Sequence, residues 1–442
     1  MSPLSISLVK IFTPLCATAF LFAGCATPKT ALDYIDGTKV PHVPLMAINP
    51  EDQAQEQFNV AINLFQPGVD LYELEEDGSG LFAIDGSGVP KIDHKAIDPK
   101  IRRLETHFLP GTLKSVLDRS QQWGQTFVSP GEVQSPDLFV DATILASDGH
   151  SIALLVQARD STGRMWYQDT IKYLTLESDY QSANWPTKDP YDAIFNHIAN
   201  RLANFRNNLT PEEQKQIRMV SQMRFASDLA PDAFGDYLAR NEEQQIYVQR
   251  FPAENDPTYQ IIQQLHGTEL DMLSHIEEYY DNLQEGSFDS YNTWREQFRQ
   301  LSIEMEQYRV NAQNQKTTSY IIAGLAVAGA AATAASDSQY NSNSESNAAA
   351  ILAGGLELSA AIYEAAKEKI EIANLKAKEL AEISEIAGEG LQPKVIELEG
   401  RTYQLTGDVD SRFRQIREII RQRYLIETGQ EDVAPVDTLS SI

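Results

Sequence analysis

The first 25 residues contain an apolar segment and both cysteines of the chain, so their fate decides whether the rest of the chain can form a disulfide. Residues 11–24 form a mostly apolar run, shorter than the roughly 20 residues of a membrane-spanning helix, and Lys10 stands in front of it. The run ends in the small residues Ala23 and Gly24, immediately before Cys25. This layout is typical of a secretory signal and predicts an exported protein.

The Ala-Gly-Cys ending of this segment resembles the lipobox of bacterial lipoproteins. In that family the cysteine thiol is acylated and the peptide is cut just before it. The resemblance implies that residues 1–24 are a lipoprotein signal peptide and that acylated Cys25 attaches the mature protein to a lipid bilayer. An uncleaved anchor and an ordinary signal with an incidental cysteine are the alternatives.

Acylation would leave the mature chain without covalent cross-links. Cys16 would leave with the signal and Cys25 would carry lipid, so neither a disulfide nor a thiolate metal site would remain. Packing alone would then have to stabilise the fold. Ala26 follows the cysteine, where an aspartate would imply retention in the inner membrane of enteric bacteria. The resemblance therefore implies an outer-membrane location facing the periplasm.

The charge balance argues against one large class of partner. The chain of 442 residues has 36 basic and 63 acidic side chains, which gives a net charge of −27. A field of this sign repels a phosphate backbone, so we expect no nucleic-acid partner. The length predicts two to four domains.

The pattern after the signal predicts a tether followed by an α/β unit. Residues 25–55 are Pro-rich with little periodicity, which is typical of a tether. In residues 56–188, the alternation at 58–64 predicts a strand, and the spacing at 99–118 predicts a helix that Pro110 breaks or kinks. Four further runs are strand-like, at 126–128, 138–145, 152–158 and 165–173. Tight turns join the last three into a predicted three-stranded meander.

This order of elements resembles the periplasmic domain of the curli secretion-channel lipoprotein and the N-terminal domain of the translocation protein TolB. The shared features are an aspartate opening the meander (Asp137 or Asp141), the Asp148-Gly149 turn and the segment from Asp160 to Trp166. The chain also resembles a family of uncharacterised proteobacterial envelope lipoproteins, at residues 122–124, 230–234, 398–400 and 427–429. These resemblances imply a periplasmic fold and no particular activity.

Residues 189–310 are predicted to form a helical bundle, because apolar residues recur there at helical spacing. A capping box predicts where one helix begins, with its residues at Thr210, Pro211 and Glu213. Two later helices are expected, at 259–283 and 291–309. Glu269 interrupts the apolar stripe of the first of these two.

Residues 311–392 are predicted to contain an Ala/Gly-rich helical hairpin and a charged helix. Small residues share one helix face, at Gly324, Ala328 and Ala332, which permits close backbone approach. The hairpin has three interpretations: packing within the chain, assembly of a homo-oligomer, or insertion in the membrane. Residues 320–335 fall short of a spanning helix, and Glu357 would be costly in lipid. We therefore favour packing or assembly.

Residues 393–442 are predicted to form a short β-hairpin around Glu399-Gly400 and an amphipathic helix at 410–427. The helix carries the only basic cluster of this acidic chain, at Arg412, Arg414, Arg417, Arg421 and Arg423. Arg414, Arg417 and Arg421 are the candidate interaction residues. They either pair with the protein's own acids, which we favour, or dock an acidic partner or a lipid headgroup.

No familiar catalytic or nucleotide-binding motif occurs, and the seven histidines never stand at metal-ligand spacing. An Asp-Gly-Ser-Gly repeat at 77–80 and 85–88, beside Glu75 and Glu76, offers oxygen ligands of the kind calcium prefers. The spacing matches no EF-hand loop, and two turns around a short strand explain it without an ion. We therefore expect no catalytic residue, metal ligand or cofactor.

The sequence thus predicts a non-catalytic outer-membrane lipoprotein of the α+β class. Its expected role is that of a periplasmic interaction or assembly module, with other envelope proteins as partners. The competing hypothesis is an oligomeric pore- or ring-forming subunit, with the Ala/Gly-rich hairpin inserted in the membrane.

Overall fold

Helices and a mixed sheet make up the described part of the chain, so the predicted α+β class is confirmed. The computed structural model describes residues 32, 35–48, 57–68, 82–84, 90–92, 99–184, 187–253, 255–303, 307, 378–380, 382, 394–398 and 401–430.

Among the residues described up to position 174, six strands form the main sheet and two more form a separate hairpin. In chain order they are β1 (Thr38–Lys39), β2 (Val60–Asn63), β3 (Phe82–Ile84), β4 (Pro90–Ile92), β5 (Thr126–Ser129), β6 (Leu138–Ser147), β7 (Ser151–Asp160) and β8 (Met165–Leu174). The order in the sheet is β1-β8-β7-β6-β2-β5, while β3 pairs with β4. Strand β2 runs parallel to both β5 and β6, and β6, β7 and β8 form the antiparallel meander that the sequence predicts.

Turn chemistry explains why the meander could be predicted. Gly149 and Gly163 have φ angles of +75° and +84°, a region that glycine enters without strain. The Asp160 carboxylate accepts the backbone N–H of Thr162 at 2.9 Å and the indole N–H of Trp166 at 2.7 Å. Burial raises the pKa of Asp160, although these two hydrogen bonds act in the opposite direction.

Residues 35–48 pack on the folded domain, although the sequence pattern assigns them to the tether. Residues 38–40 bond to the sheet, and residues 43–46 contact a later helix, Asp192–Asn207. Strand β1 pairs in parallel with β8, and Val40 is buried. The ammonium group of Lys172 donates to the carbonyl oxygens of Leu32 at 2.8 Å and Ile35 at 2.6 Å. The position of this segment is determined by pairing of β1 with β8, more than 100 residues away in the sequence. The local sequence pattern does not reveal a pairing of this kind. The folded part therefore begins well before the predicted boundary at residue 56.

The first long helix, α1 (Pro99–Ser120), continues through Pro110, so of the two outcomes that the sequence predicts there, a break or a kink, the break does not occur. A proline inside a helix lacks the N–H that would bond the carbonyl four residues earlier. That carbonyl belongs to Thr106, and it accepts the backbone N–H of Phe65 at 3.1 Å instead. A contact from the chain just after β2 thus satisfies the oxygen that the proline leaves unpaired.

The remaining helices of the central region are α2 (Glu177–Gln181), α3 (Asp192–Asn207), α4 (Pro211–Leu229), α5 (Pro231–Phe234), α6 (Pro257–Ser274) and α7 (residues 277–303). The predicted capping box of α4 is confirmed. The Thr210 hydroxyl accepts the N–H of Glu213 at 3.2 Å, and the Glu213 carboxylate accepts the N–H of Thr210 at 2.8 Å.

The sequence predicts a wholly helical region here, and this is wrong, because a short β-hairpin lies between α5 and α6. Its strands are β9 (Leu238–Arg240) and β10 (Ile246–Val248). The N–H of Ile246 donates to the carbonyl of Thr162 at 2.8 Å, which attaches the hairpin to the β7–β8 turn. These strands are three residues long, too short for a periodic pattern to be recognised in the sequence.

The helical structure is interrupted between α6 and α7 at residues 275–276. The sequence predicts this interruption at residues 284–290 instead. Gly286 lies in the interior of α7, where a glycine costs about 1 kcal/mol relative to alanine. Gln284, beside it, is buried and donates its side-chain N–H to the carbonyl of Phe108 at 2.9 Å. Packing of α7 on α1 therefore outweighs local propensity.

The C-terminal elements match the prediction. They are β11 (Lys394–Leu398), β12 (Arg401–Leu405) and α8 (Val409–Glu427). The Asp408 carboxylate caps α8 by accepting the N–H of Ser411 at 2.8 Å, and Gly429 follows the helix with a φ of +68°. Helix α8 packs against α6, and its apolar residues join the same core as those of the sheet.

A buried ion pair connects α7 to the segment before α3. The guanidinium of Arg295 donates to both carboxylate oxygens of Asp189, each at 2.9 Å, and both side chains are almost fully buried. The rings of Tyr191 and Tyr291 lie 5.0 Å and 4.2 Å from the guanidinium carbon. Burial alone would lower the pKa of Arg295, but the charge and hydrogen bonds of Asp189, together with the neighbouring tyrosines, outweigh burial and raise that pKa.

The same network holds the turn between β6 and β7. The N–H of Gly149 donates to the hydroxyl of Tyr191 at 2.9 Å, and its carbonyl accepts the hydroxyl of Tyr180 at 2.6 Å. A Cβ atom on Gly149 would overlap the carbonyl oxygen of Arg295. The turn therefore packs directly on the backbone of α7.

This packing predicts different costs for two otherwise similar substitutions. Gly149→Ala and Gly163→Ala both place alanine at positive φ in a meander turn, which costs about 1–2 kcal/mol. A Cβ at Gly163 meets nothing within 4 Å, whereas a Cβ at Gly149 requires α7 to move. We expect Gly149→Ala to lower the unfolding free energy by about 1–3 kcal/mol more than Gly163→Ala, measured by denaturant titration. Equal losses would contradict the packing of this turn on α7.

Candidate functional site

A cleft of about 570 Å³ lies where α8 meets α6 and the end of α4. We call it the arginine cleft. It is lined by charged residues of both signs, namely Asp228, Glu269, Arg414, Arg417, Glu418 and Arg421. All three arginines that the sequence singles out as candidate interaction residues therefore meet at one site.

The period of α8 decides which arginines reach the cleft. The apolar residues Phe413, Ile416 and Ile420 are buried, and Arg414, Arg417 and Arg421 follow the neighbouring strip of the helix.

The other two arginines of the predicted cluster do not belong to the cleft, because both are buried inside the fold. Arg412 is 1% exposed and donates to the carbonyl of Gly407 at 3.2 Å, while Arg423 is 5% exposed and pairs with Glu427 at 2.5 Å. The five arginines therefore do not form a single basic surface.

Arg417 is held by two carboxylates from different helices. Its guanidinium lies 2.5 Å from an oxygen of Asp228 on α4 and 3.3 Å from an oxygen of Glu269 on α6. Glu269 is 1% exposed, and burial raises its pKa, although the charge of Arg417 acts against that shift. For Arg417, the favoured interpretation of pairing with the protein's own acids is correct.

Arg414 and Arg421 differ from Arg417, because both are exposed and neither lies within ion-pair distance of a carboxylate among the described residues. The charge of Arg414 acts at longer range on Asp408, where it adds to the hydrogen bonds that lower the pKa of that carboxylate. Arg414 donates to the hydroxyl of Ser411 at 3.1 Å. Glu418 stands between them on the helix and accepts a hydrogen bond from Gln422 at 2.9 Å. The cleft thus has one neutralised cation at its centre and an exposed cation on each side.

Other candidates from the sequence cannot be placed. Cys25, the small-residue positions Gly324, Ala328 and Ala332, and both Asp-Gly-Ser-Gly turns lie outside the described residues. In the described segments, no cluster of three or more His, Cys, Asp and Glu side chains is arranged to hold a metal ion. The helices described also include none with the length and apolar character needed to cross a membrane.

Three buried titratable groups with shifted pKa values, His107, His266 and Glu277, make contacts within the fold. Burial lowers the pKa of His107 and of His266, and each ring lies within hydrogen-bond distance of a backbone carbonyl, at 3.2 Å and 2.9 Å. Burial raises the pKa of Glu277 to about 7, which is a common property of catalytic acids. Glu277 lies 3.3 Å from Lys114, however, in an ion pair that connects α7 to α1.

Comparison with known proteins gives no family for this chain. No protein-family model, no curated protein and no solved structure matches it significantly.

Sequence reasoning missed the carboxylates that hold Arg417. Glu269 is visible in the sequence as an acid that interrupts an apolar helical stripe. Since a buried carboxylate requires a cation, such an interruption indicates a partner from elsewhere in the chain. The arginines of α8 were the nearest basic cluster available, so this pairing could have been anticipated, whereas Asp228 gives no comparable signal.

The geometry predicts that loss of Arg417 destabilises the protein in a pH-dependent way. Arg417→Met leaves Glu269 buried without its cation, which costs about 1–3 kcal/mol when that carboxylate is ionised. Because the folded-state pKa of Glu269 is already raised, protonation of the carboxylate relieves this cost as the pH falls. We expect the difference in unfolding free energy from wild type to be larger at pH 8 than at pH 5.

Arg421→Met is the matched control, since Arg421 lies on the same cleft but is exposed and has no carboxylate partner in the described chain. Its effect should be within about 0.5 kcal/mol and independent of pH. A pH-independent loss for Arg417→Met would contradict its pairing with Glu269.

Proposed function

We propose that this protein is a non-catalytic outer-membrane lipoprotein that serves as a periplasmic interaction module of an envelope or export assembly. The observation that carries this proposal is the apolar run at 11–24 that ends in small residues directly before Cys25. A thiol at that position is the acylation site in the lipoproteins that the segment resembles. Several buried methylene groups, each contributing about 0.8 kcal/mol, would anchor the protein firmly.

The described fold is compatible with a role in binding rather than in chemistry. Its buried carboxylates and histidines are engaged in ion pairs and backbone hydrogen bonds, as Glu269, Glu277, His107 and His266 illustrate. The arginine cleft presents arginines and carboxylates side by side, with Arg414 and Arg421 exposed, and its described lining includes no nucleophile paired with a base. Such a site suits recognition of another molecule.

Acylation is tested directly by changing each cysteine in turn. We expect Cys25→Ser to leave a larger precursor that takes up no palmitate label, because the acylated atom and the processing site are both lost. Cys16→Ser is the matched control and should be processed and labelled like wild type, since Cys16 lies inside the apolar run. Equal palmitate labelling of Cys25→Ser and wild type would refute the lipoprotein assignment.

The competing hypothesis is a pore- or ring-forming subunit whose Ala/Gly-rich hairpin enters the membrane. The shared face of Gly324, Ala328 and Ala332 motivates it, because small residues at this spacing allow helices to approach closely.

Adding bulk to that face separates the hypotheses. If the face joins protomers, Gly324→Leu should dissociate the oligomer in cross-linking and sedimentation while each protomer stays folded. If it packs within one chain, overpacking should lower thermal stability by about 1–3 kcal/mol without changing the oligomeric state. Ala326→Leu, two residues along and thus on the other side of a helix, is the control. A lipid-free variant that begins at residue 26, and so lacks both the apolar run and Cys25, would contradict the pore hypothesis if it is soluble and monomeric without detergent.

A further inference from the structure

The two exposed guanidiniums of the arginine cleft, those of Arg414 and Arg421, flank a mixed surface. It carries the exposed carboxylate of Glu418, which disfavours a third acid between the arginines, and partly exposed apolar atoms of Leu229 and Pro231. We propose that the cleft binds an acidic protein segment with two carboxylates about 10 Å apart and an apolar side chain between them. This inference rests on the proposed function and specifies the partner chemistry of an interaction module.

The spacing of the two cations selects the ligand. Arg414 and Arg421 are seven residues apart on α8, which is two helical turns and about 10 Å. A single phosphate or carboxylate cannot bridge that distance. A ligand helix with acids seven positions apart has the same period, so both of its carboxylates can face an arginine at once.

The centre of the cleft favours an apolar group over a third charge. Arg417 is already paired with Asp228 and Glu269, so it neither needs nor attracts another carboxylate strongly. Next to it, Ile420 is buried and Leu229 is half-buried. An apolar side chain placed here would cover these atoms, while the outer carboxylates fix its orientation.

A membrane surface fits the cleft less well than a protein segment. Polybasic lipid-binding sites use clusters of about 4–8 basic residues, each contributing about 1 kcal/mol, and the cleft has two unpaired arginines. An anionic bilayer is also extended and meets the field of the whole protein, whose net charge is −27. A short segment inside the cleft meets mainly the local charges, because more distant ones are screened at physiological salt.

The test uses the full-length protein and a synthetic helical peptide of about 15 residues, with two glutamates seven positions apart and leucines between them. Fluorescence anisotropy should give a dissociation constant in the micromolar range that weakens as salt is raised. We expect the double substitution Arg414→Gln and Arg421→Gln to weaken binding by about tenfold or more. A peptide with its glutamates replaced by glutamine should lose affinity similarly.

Loss of peptide binding by an arginine variant could also result from misfolding, and a charge-reversed variant that gains binding to a lysine peptide excludes that explanation. The variant with Arg414→Glu and Arg421→Glu should lose the glutamate peptide and bind the corresponding lysine peptide. The control variant, Arg103→Glu with Lys215→Glu, makes the same charge change at exposed residues outside the cleft and should bind the glutamate peptide like wild type.

Three results would overturn the proposal. They are undiminished binding of the glutamate peptide by the charge-reversed variant, failure of that variant to bind the lysine peptide, and arginine-dependent sedimentation with phosphatidylglycerol vesicles in place of peptide binding. None of them bears on palmitate labelling at Cys25, so this inference and the lipoprotein proposal can fail independently.

Discussion

The buried Arg295–Asp189 ion pair joins α7 to the segment before α3, beside the Tyr191 hydroxyl that holds the turn between β6 and β7. Removing two charges from water costs several kcal/mol per ion, and only good geometry offsets that cost. Here both carboxylate oxygens are engaged and two tyrosine rings flank the guanidinium, so the charge is well compensated. Losing one partner would leave the other charge uncompensated, at a cost of about 3–5 kcal/mol. The predicted boundary at residue 188 therefore separates segments that depend on each other.

A second buried carboxylate, that of Glu105, joins α1 to both β6 and α7. Glu105 accepts hydrogen bonds from Arg102 at 2.6 Å, from Ser147 on β6 at 2.6 Å and from Tyr291 on α7 at 2.7 Å. A residue of the same helix and two elements distant in sequence thus satisfy one buried charge, and a partly satisfied network of this kind would be less stable than an apolar core. For a chain expected to have no disulfide, such polar junctions supply the specificity that packing alone lacks.

An element could be predicted from the sequence when the residues that stabilise it are its neighbours in the chain. The capping box at Thr210 and the Gly163 turn are stabilised by neighbouring residues, so the local pattern contains the whole explanation. Strand β1, the intact helix around Pro110 and the helix break at 275–276 depend on partners tens to hundreds of residues away. Local propensity favoured a different answer in each of these cases, and tertiary contacts outweighed it.

The arginine cleft could likewise be predicted only in part from the local sequence. Spacing along the sequence groups the arginines of α8 together, but only the packed helix shows that two are interior, one is paired and two are exposed. Arg417 matters to this arrangement because its ion pairs to α4 and α6 fix the rotation of α8. Arg414 and Arg421 are then presented at a set separation, which lowers the ordering cost of binding and allows the cleft to discriminate between anionic ligands by the distance between their charges.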